Sequence, residues 1–161
     1  MTQAEYDALT GKPREKTART DRKKLWFAFL PLDGKLTPTG CVLTLPLPPT
    51  KNNEPRHSGE LQRFKNHWWM RSRDAWLCAG QPRFQAVTVT PIFHLLKLNR
   101  DTDNCIGWAW KRIQDAWKGH MLHDDAPKYL RLNAPVLLKA EGLPRLEIIV
   151  EEVQSGAQEG E

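Results

Sequence analysis

The feature that most restricts the fold of this chain is the way helical and strand-like segments alternate along it. Residues 60–79 carry apolar side chains at three- and four-residue steps, which predicts a helix that Gly80-Gln81-Pro82 ends. Residues 86–96 alternate and are rich in β-branched side chains, which predicts a strand. The remaining predicted elements are a helix over 103–118 and strands over 129–138 and 143–153. This order predicts one α+β, or mixed α/β, domain over residues 25–153, with a small mixed sheet packed against two main helices.

The segments before the first helix, and the end of the chain, have distinct compositions. Residues 1–24 are predicted to be a flexible basic arm, and 154–161 a disordered acidic tail. A hairpin is predicted across 25–47, with Asp33-Gly34 as its turn. Residues 46–59, PLPPTKNNEPRHSG, predict an ordered loop that leaves a strand, because proline fixes an extended backbone and cannot continue a helix.

The charge of the chain is basic and unevenly distributed. Its 161 residues hold 24 Lys and Arg against 19 Asp and Glu, a formal net charge of +5. Residues 141–161 contain six acidic side chains and one basic side chain, so residues 1–140 carry +10. A basic body favours a polyanionic partner, and nucleic acid before a membrane. A basic soluble protein without an anionic partner explains the charge equally well.

Several classes of protein are excluded by the composition and by missing motifs. No run approaches the ~18 apolar residues of a membrane span, and the N-terminal segment does not resemble a signal peptide. Three scattered cysteines argue against a disulfide framework and favour a reducing, cytoplasmic location. The absence of GxSxG, Walker and GxGxxG motifs argues against acyl transfer and a nucleotide cofactor. An EF-hand loop starting at Asp101 fails, because its sixth residue is Ile106 and its twelfth is Arg112.

Two acidic clusters flank the second predicted helix. Asp101 and Asp103 precede it, and Asp124 and Asp125 follow it, so their side chains could converge on one site. Carboxylates grouped in this way suit Mg²⁺ or Mn²⁺, and beside a basic surface they suit metal-assisted phosphodiester hydrolysis. The alternative is that Asp103 is a helix N-cap and that Asp124 and Asp125 form an ordinary turn.

Histidines and tryptophans offer two weaker sites. A zinc site could be built from His120, His123, Asp124 and Cys105. Surface histidines explain this set better, because ligand geometry is not preset after a glycine that ends a helix. The tryptophans that could stack on exposed bases are Trp68, Trp69, Trp108, Trp110 and Trp117. Packing of helices on a sheet explains most of them, although Trp108 and Trp110 cannot both face inward.

Three motifs occur in order along the chain: LTLPLPPTKNN (43–53) followed by Arg56-His57, NRDTDN (99–104), and QDAW (114–117) followed by LHDD (122–125). The first is a proline-rich loop, the second an Arg-Asp-x-Asp-Asn signature and the third an Asp-Asp pair after the second helix. Taken together, they resemble the RusA-like family of crossover-junction endodeoxyribonucleases, which are Holliday-junction resolvases of the prophage type. The resemblance covers residues 41–153.

The resemblance implies a homodimer that cuts four-way DNA junctions symmetrically in recombination and repair. It implies that cleavage depends on Mg²⁺, for which Mn²⁺ can substitute. It implies a cytoplasmic protein encoded by a bacterium or a phage. Carried over by position, the catalytic and metal-binding carboxylates are Asp101, Asp103 and Asp125, with Asp124 as an adjacent metal ligand. The family lysine corresponds to Lys111, which lies seven residues after Asn104 instead of three.

This displaced lysine indicates about four extra residues, roughly one helical turn. On a continuous helix, Lys111 would stay on the same face as Gly107, ~6 Å further along. Impaired catalysis is one possible consequence, but we expect retained activity because all the carboxylates are present.

Binding of the DNA backbone is expected from the loop, the first helix and the signature. The predicted residues are Lys51, Asn53, Arg56, Arg63, Lys65, Arg71, Arg73 and Arg100. The alternatives to a junction-resolving nuclease are a catalytically weak or inactive junction-binding protein and a small basic DNA-associated adaptor.

Overall fold

A computed structural model describes residues 31–154 of the chain. The predictions for residues 1–30, and for nearly all of the acidic tail, therefore lie outside the described residues. The elements are β1 (Asp33–Thr37), β2 (Gly40–Pro46), α1 (Ser58–Cys78), β3 (Val87–Leu95), α2 (Trp108–Asp115), β4 (Leu130–Leu132), β5 (Val136–Lys139) and β6 (Arg145–Glu152). Two short 3₁₀ turns, Lys51–Asn53 and Thr102–Asn104, follow β2 and β3.

The strands form one mixed sheet in the order β1-β2-β6-β3, with β4 and β5 both paired to the outer edge of β3. β4 and β5 run parallel to β3, and the other pairs are antiparallel. The predicted α+β fold, with a small mixed sheet and two main helices, is confirmed. None of the helices in residues 31–154 is long and apolar enough to span a membrane.

The core lies between the sheet and the two helices. Alternate residues of the three central strands face it, as the predicted period of two requires. The buried strand residues include Leu43, Leu45, Val89, Phe93, Ile148 and Val150. Trp68 and Trp76 of α1, with Trp110 and Ile113 of α2, are also buried in this core. The buried Ser72 hydroxyl donates to the carbonyl of Ile113 at 2.8 Å and joins α1 to α2.

The hairpin β1–β2 differs from the prediction. Its turn is Pro38-Thr39, and Gly34 lies inside β1, paired with Leu43, so the predicted turn at Asp33-Gly34 is wrong. A side chain at Gly34 would overlap the carbonyl oxygen of Ala75 in α1. The glycine is therefore used to let a helix approach a strand closely, and not to reverse the chain.

The strand predicted over 129–138 is divided into β4 and β5 by Asn133–Pro135. The Val87 N–H donates to the Tyr129 carbonyl, and the Val89 carbonyl accepts from Asn133 N–H. The odd-numbered residues of β3 thus direct their backbone groups towards β4 and β5. Pro91 lies on that side of β3 and has no N–H to donate. The break between β4 and β5 lies beside it, because β4 pairs with β3 as far as Val89 and β5 pairs with it from Ile92.

The second helix is shorter than predicted. It begins at Trp108, after Gly107 in an extended conformation, and it ends at Asp115. The prediction of a helix from Asp103 is wrong, because Thr102–Asn104 form a separate 3₁₀ turn. Asn104 and Lys111 are therefore not on one continuous helix. The first turn of α2, in which Lys111 N–H donates to the Gly107 carbonyl at 3.1 Å, lies between the 3₁₀ turn and Lys111.

Candidate nucleic-acid interface

The proline-rich loop and the NRDTDN segment contact each other. The Arg100 guanidinium donates to the carbonyl of Pro48 at 3.1 Å, and the Asn52 amide donates to Asn104 Oδ1 at 3.5 Å. The sheet explains why they meet: β2 and β3 are both antiparallel to β6, so both strands end at the same edge of the fold. The first two motifs of the family resemblance are therefore neighbours in space.

Glu54 of the loop fixes the start of α2. The residue is almost fully buried, at 7% exposure, and its carboxylate accepts hydrogen bonds from the N–H groups of Trp108 at 2.9 Å and Ala109 at 2.8 Å. A carboxylate is favourable there because it satisfies free N–H donors at the positive end of the helix dipole. A side chain at Gly107 would overlap Glu54 Oε1, so the cap requires glycine. Sequence analysis missed this role, because a distant residue supplies the cap.

Trp108, Lys65 and Lys111 form a surface cluster that we call the tryptophan platform. Trp108 is 43% exposed, with Lys65 Nζ 3.8 Å and Lys111 Nζ 5.3 Å from the centroid of its ring. Trp110 is buried against Trp117, with ring centroids 6.0 Å apart. The expectation that Trp108 and Trp110 would not both face inward is confirmed. The platform also joins a predicted DNA-binding lysine of α1 to the predicted catalytic lysine of α2.

The first acidic cluster is exposed and free of ion pairs within residues 31–154. Asp101 starts the 3₁₀ turn, and its carbonyl accepts from Asn104 N–H at 3.1 Å and from the Cys105 thiol at 3.5 Å. Asp103 lies inside this turn, and the residue that precedes α2 is Gly107. The alternative interpretation of Asp103 as the N-cap of the second helix is therefore wrong.

The second acidic cluster already holds a cation of the chain itself. Lys118 Nζ lies 2.9 Å from Asp124 Oδ1 and 3.7 Å from Asp125 Oδ1. The hydrogen bond from Lys118 is the largest cause that lowers the pKa of Asp124, and the same hydrogen bond raises the pKa of Lys118. Asp124 Oδ1 also accepts from Asp125 N–H at 2.9 Å, a contact between adjacent residues. The pair thus has the features of a cation site, and neither residue lies in a hydrogen-bonded turn.

The two acidic clusters lie beyond opposite ends of α2. The chain after α2 runs beside the start of β3, where Phe84 N–H donates to the Met121 carbonyl, whereas Asp101 lies beyond the end of β3. Within residues 31–154, no three His, Cys, Asp or Glu side chains are grouped so that they could share a metal ion. The same holds for the zinc alternative: His120 contacts the Trp76 ring and His123 the Tyr129 ring.

The predicted DNA-binding residues have different surroundings. Lys51, Asn53, Arg56 and Arg63 are exposed on the loop and at the start of α1. Arg71 and Arg73 are half-buried further along α1, and the Arg73 guanidinium lies 5.4 Å from the Trp69 ring centroid. Arg100 is bound to Pro48, as described above, so at least part of its role is to hold the two loops together.

The chain matches no protein-family model and no curated protein. Its function is therefore inferred from its own residues: a carboxylate-bearing turn and a basic loop held together at one edge of the sheet, with the tryptophan platform at the start of the adjoining helix.

Proposed function

We propose that the protein is a Mg²⁺-dependent, structure-selective endodeoxyribonuclease that resolves four-way DNA junctions. The observation that supports this most directly is the contact between the proline-rich loop and the NRDTDN segment, through Arg100–Pro48 and Asn52–Asn104. It joins a loop rich in phosphate-binding side chains to a turn with two exposed carboxylates. Metal-assisted hydrolysis of DNA uses both: cations bind the DNA backbone, and carboxylates hold the metal ion.

The donor chemistry of the acidic residues fits a hard divalent cation. Asp101 and Asp103 offer exposed carboxylates, and the pair Asp124 and Asp125 already binds the ammonium group of Lys118. The resemblance assigns Mg²⁺ to Asp101, Asp103 and Asp125 together, but these three carboxylates are not grouped in residues 31–154. In this proposal Asp101 and Asp103 would hold Mg²⁺, while Asp125 lies with Asp124 beyond the other end of α2. When bound, the metal lowers the pKa of an attacking water and offsets charge on the leaving oxygen. Lys111 binds the phosphate, and Lys51, Arg56 and Arg63 bind the flanking backbone.

Resolution of a junction needs two related cuts, so the proposal includes a homodimer. A two-fold interface presents the same site twice and in matching orientation, which gives symmetric cleavage.

The decisive experiment is cleavage of an end-labelled four-way junction in Mg²⁺, with a linear duplex of the same sequence as substrate control. We expect paired symmetric cuts by the wild-type protein, and none by Asp103→Asn, while junction binding is retained. Glu141→Gln, an exposed acidic change in the β5–β6 loop, is the matched control and should cleave normally. An absence of nicking by the wild-type protein in both Mg²⁺ and Mn²⁺ would refute the nuclease.

A second candidate is a junction-binding protein that does not cut. It is favoured by the separation of the two acidic clusters across α2 and by the ion pair of Lys118 with Asp124. It predicts tight junction binding without nicking. A basic adaptor, the third candidate, predicts that Asp101→Asn and Asp125→Asn leave Mg²⁺ binding unchanged in calorimetry.

A further inference from the structure

Trp108 is an exposed aromatic side chain on a fixed backbone. Its own N–H is bound by the buried carboxylate of Glu54, and the next residue, Ala109, is buried in the core. The backbone that carries the indole is therefore fixed by a buried contact with Glu54 and by the packing of Ala109. Of the six tryptophans in residues 31–154, Trp108 is the one whose side chain is exposed.

The two lysines beside Trp108 come from different helices and make the surroundings of the ring basic. Lys65 lies on α1 and Lys111 one turn along α2. Glu54 contacts the backbone of Trp108, and its charge is directed into the N–H groups at the start of the helix. The platform thus combines an apolar aromatic surface with two cations, and its charge complements a nucleotide.

The relative strengths of base stacking and of the cation–π contact decide whether a base displaces a lysine from this ring. A cation over an exposed aromatic ring changes an equilibrium by about 2- to 5-fold, whereas a base stacked on an aromatic side chain changes binding by about 5- to 150-fold. An unpaired base therefore displaces a lysine from the face of the indole. The released ammonium group remains within reach of the phosphates on either side of that base.

We infer that Trp108 is a stacking platform for an unpaired base of branched or single-stranded DNA, and that Lys65 and Lys111 bind the phosphates beside that base. Bases inside a duplex already stack on their neighbours and offer no free face. The platform therefore selects DNA with unpaired bases, such as an open branch point, over continuous duplex. This inference rests on the proposed function, because it names the part of the branched substrate that the protein recognises.

The test is binding without metal, so that it does not depend on cleavage. Full-length protein in a chelator is titrated into labelled DNA of equal length: a single-stranded oligothymidine, a four-way junction with unpaired bases at its centre, and a fully paired duplex. We expect Trp108→Ala to weaken binding to the first two by about 5- to 100-fold and to the duplex by less than about 2-fold. Trp108→Phe should restore most of the loss, because phenylalanine keeps a ring.

Tryptophan fluorescence separates stacking from simple electrostatics. Single-stranded DNA should quench the wild-type emission, and Trp108→Phe should remove most of this quenching. Leu77→Ala, a truncation of an apolar side chain on α1 that is as exposed as Trp108, is the matched control and should leave quenching and affinity unchanged. The thermal midpoint of each variant checks folding, and an exposed ring such as Trp108 should leave it nearly unchanged.

The outcomes distinguish this inference from the proposed nuclease. A protein that binds unpaired DNA through Trp108 but never cuts supports the platform and overturns the nuclease. A protein that cuts junctions while Trp108→Ala binds every DNA equally well retains the nuclease and overturns the platform. An equal loss of duplex and single-strand binding also overturns the platform, because it shows a general phosphate contact.

Discussion

The three cysteines differ in what surrounds their thiols. Cys41 lies in the core on β2, where burial raises the pKa of its thiol to about 11. Cys105 is buried beside the NRDTDN turn, where burial raises its pKa against the opposing effect of Arg100. Cys78 is exposed at the end of α1. Only a thiolate that solvent can reach reacts readily, so accessibility singles out Cys78.

We therefore predict that one thiol of three reacts rapidly with an aromatic disulfide reagent at about pH 8. Cys78→Ser should remove the fast phase, and denaturant should expose all three thiols. Cys41→Ser, by contrast, should leave the fast phase intact. Two or more fast thiols in the native wild-type protein would contradict the buried positions of Cys41 and Cys105.

The imidazole of His67 provides a second prediction for a single residue. Burial is the larger cause that lowers its pKa below the ordinary value of 6.5, and the charge of Arg71 lowers it further. Arg71→Met should raise the pKa in part but leave it below 6.5, because burial remains. Arg73→Met, on the same helix, should leave it nearly unchanged; NMR titration of the imidazole measures all three.

The sign of the linked stability follows from this direction. Because unfolded His67 binds a proton more readily than folded His67, its contribution is fully present above pH 6.5 and is lost as the pH falls from there through the folded pKa. A folded pKa above 6.5 would reverse this dependence and contradict the prediction.

At the scale of elements, the segments predicted correctly are those whose pattern is complete in itself. The helix over 60–79 and the strands over 86–96 and 143–153 carry their own periodicity, and α1, β3 and β6 match them. The features missed depend on a partner distant in sequence. The contact with Glu54 fixes the residue at which α2 begins, and the close approach of the Ala75 carbonyl oxygen explains the glycine at position 34. The candidate site shows the same limit: its motifs were found, but the separation of the acidic clusters was not.

The cap of α2 gives a quantitative prediction. Glu54→Ala should lower the free energy of unfolding by about 2 kcal/mol, because it removes two charge-assisted hydrogen bonds from a buried helix start. Glu54→Gln should lower the free energy of unfolding by less than Glu54→Ala does, because an amide accepts through one atom only. Glu60→Ala, an exposed acidic change in the first turn of α1, is the control and should cost less than about 0.5 kcal/mol. Urea unfolding followed by circular dichroism measures these values.

The same element predicts coupling between Glu54 and Gly107. Gly107→Ala should destabilise the wild-type protein, because its methyl group would overlap Glu54 Oε1. In the Glu54→Ala background the methyl group has space, so the second change should cost much less. Additive losses in the double-mutant cycle would show that the two residues do not interact.

Gly34 of β1 and Gly59 of α1 differ in how much space a side chain would have. Gly34→Ala would place a methyl group against the backbone of α1, which cannot move as a side chain can, so we expect a loss of about 3 kcal/mol or more. Gly59→Ala, in the first turn of α1, meets nothing within 4 Å and should be neutral or stabilise by up to about 1 kcal/mol. Thermal unfolding of the pair measures the difference. Equal midpoints would contradict the close approach of α1 to β1.

At the scale of the whole molecule, a pair of basic side chains and a pair of acidic side chains lie at opposite ends of the sheet. The loop that carries Lys51 and Arg56 leaves the end of β2. Glu151 and Glu152 lie at the opposite end, where β6 pairs with the starts of β2 and β3. An approaching polyanion therefore meets Lys51 and Arg56 at one end and Glu151 and Glu152 at the other. Each end also holds charges of the opposite sign, Asp101 and Asp103 at the first and Arg131 at the second.

This arrangement predicts which charges control the salt dependence of DNA binding. Lys51→Ala and Arg56→Ala should each weaken duplex binding and reduce the slope of log affinity against log salt by about 0.9. Glu151→Gln and Glu152→Gln should leave the slope unchanged. Fluorescence anisotropy between about 50 and 200 mM salt gives the slopes. A change of slope of similar size at both ends would refute the separation.

The Glu54 cap also bears on how such a chain tolerates insertions and deletions during evolution. The place where α2 starts is determined by a contact with a different loop, and not by the number of residues that follow β3. Residues can therefore be gained or lost between Arg100 and Gly107 while Trp108 and Lys111 stay where they are. In an alignment, a lysine displaced by four positions would then mark a change in loop length, with the geometry of the helix preserved.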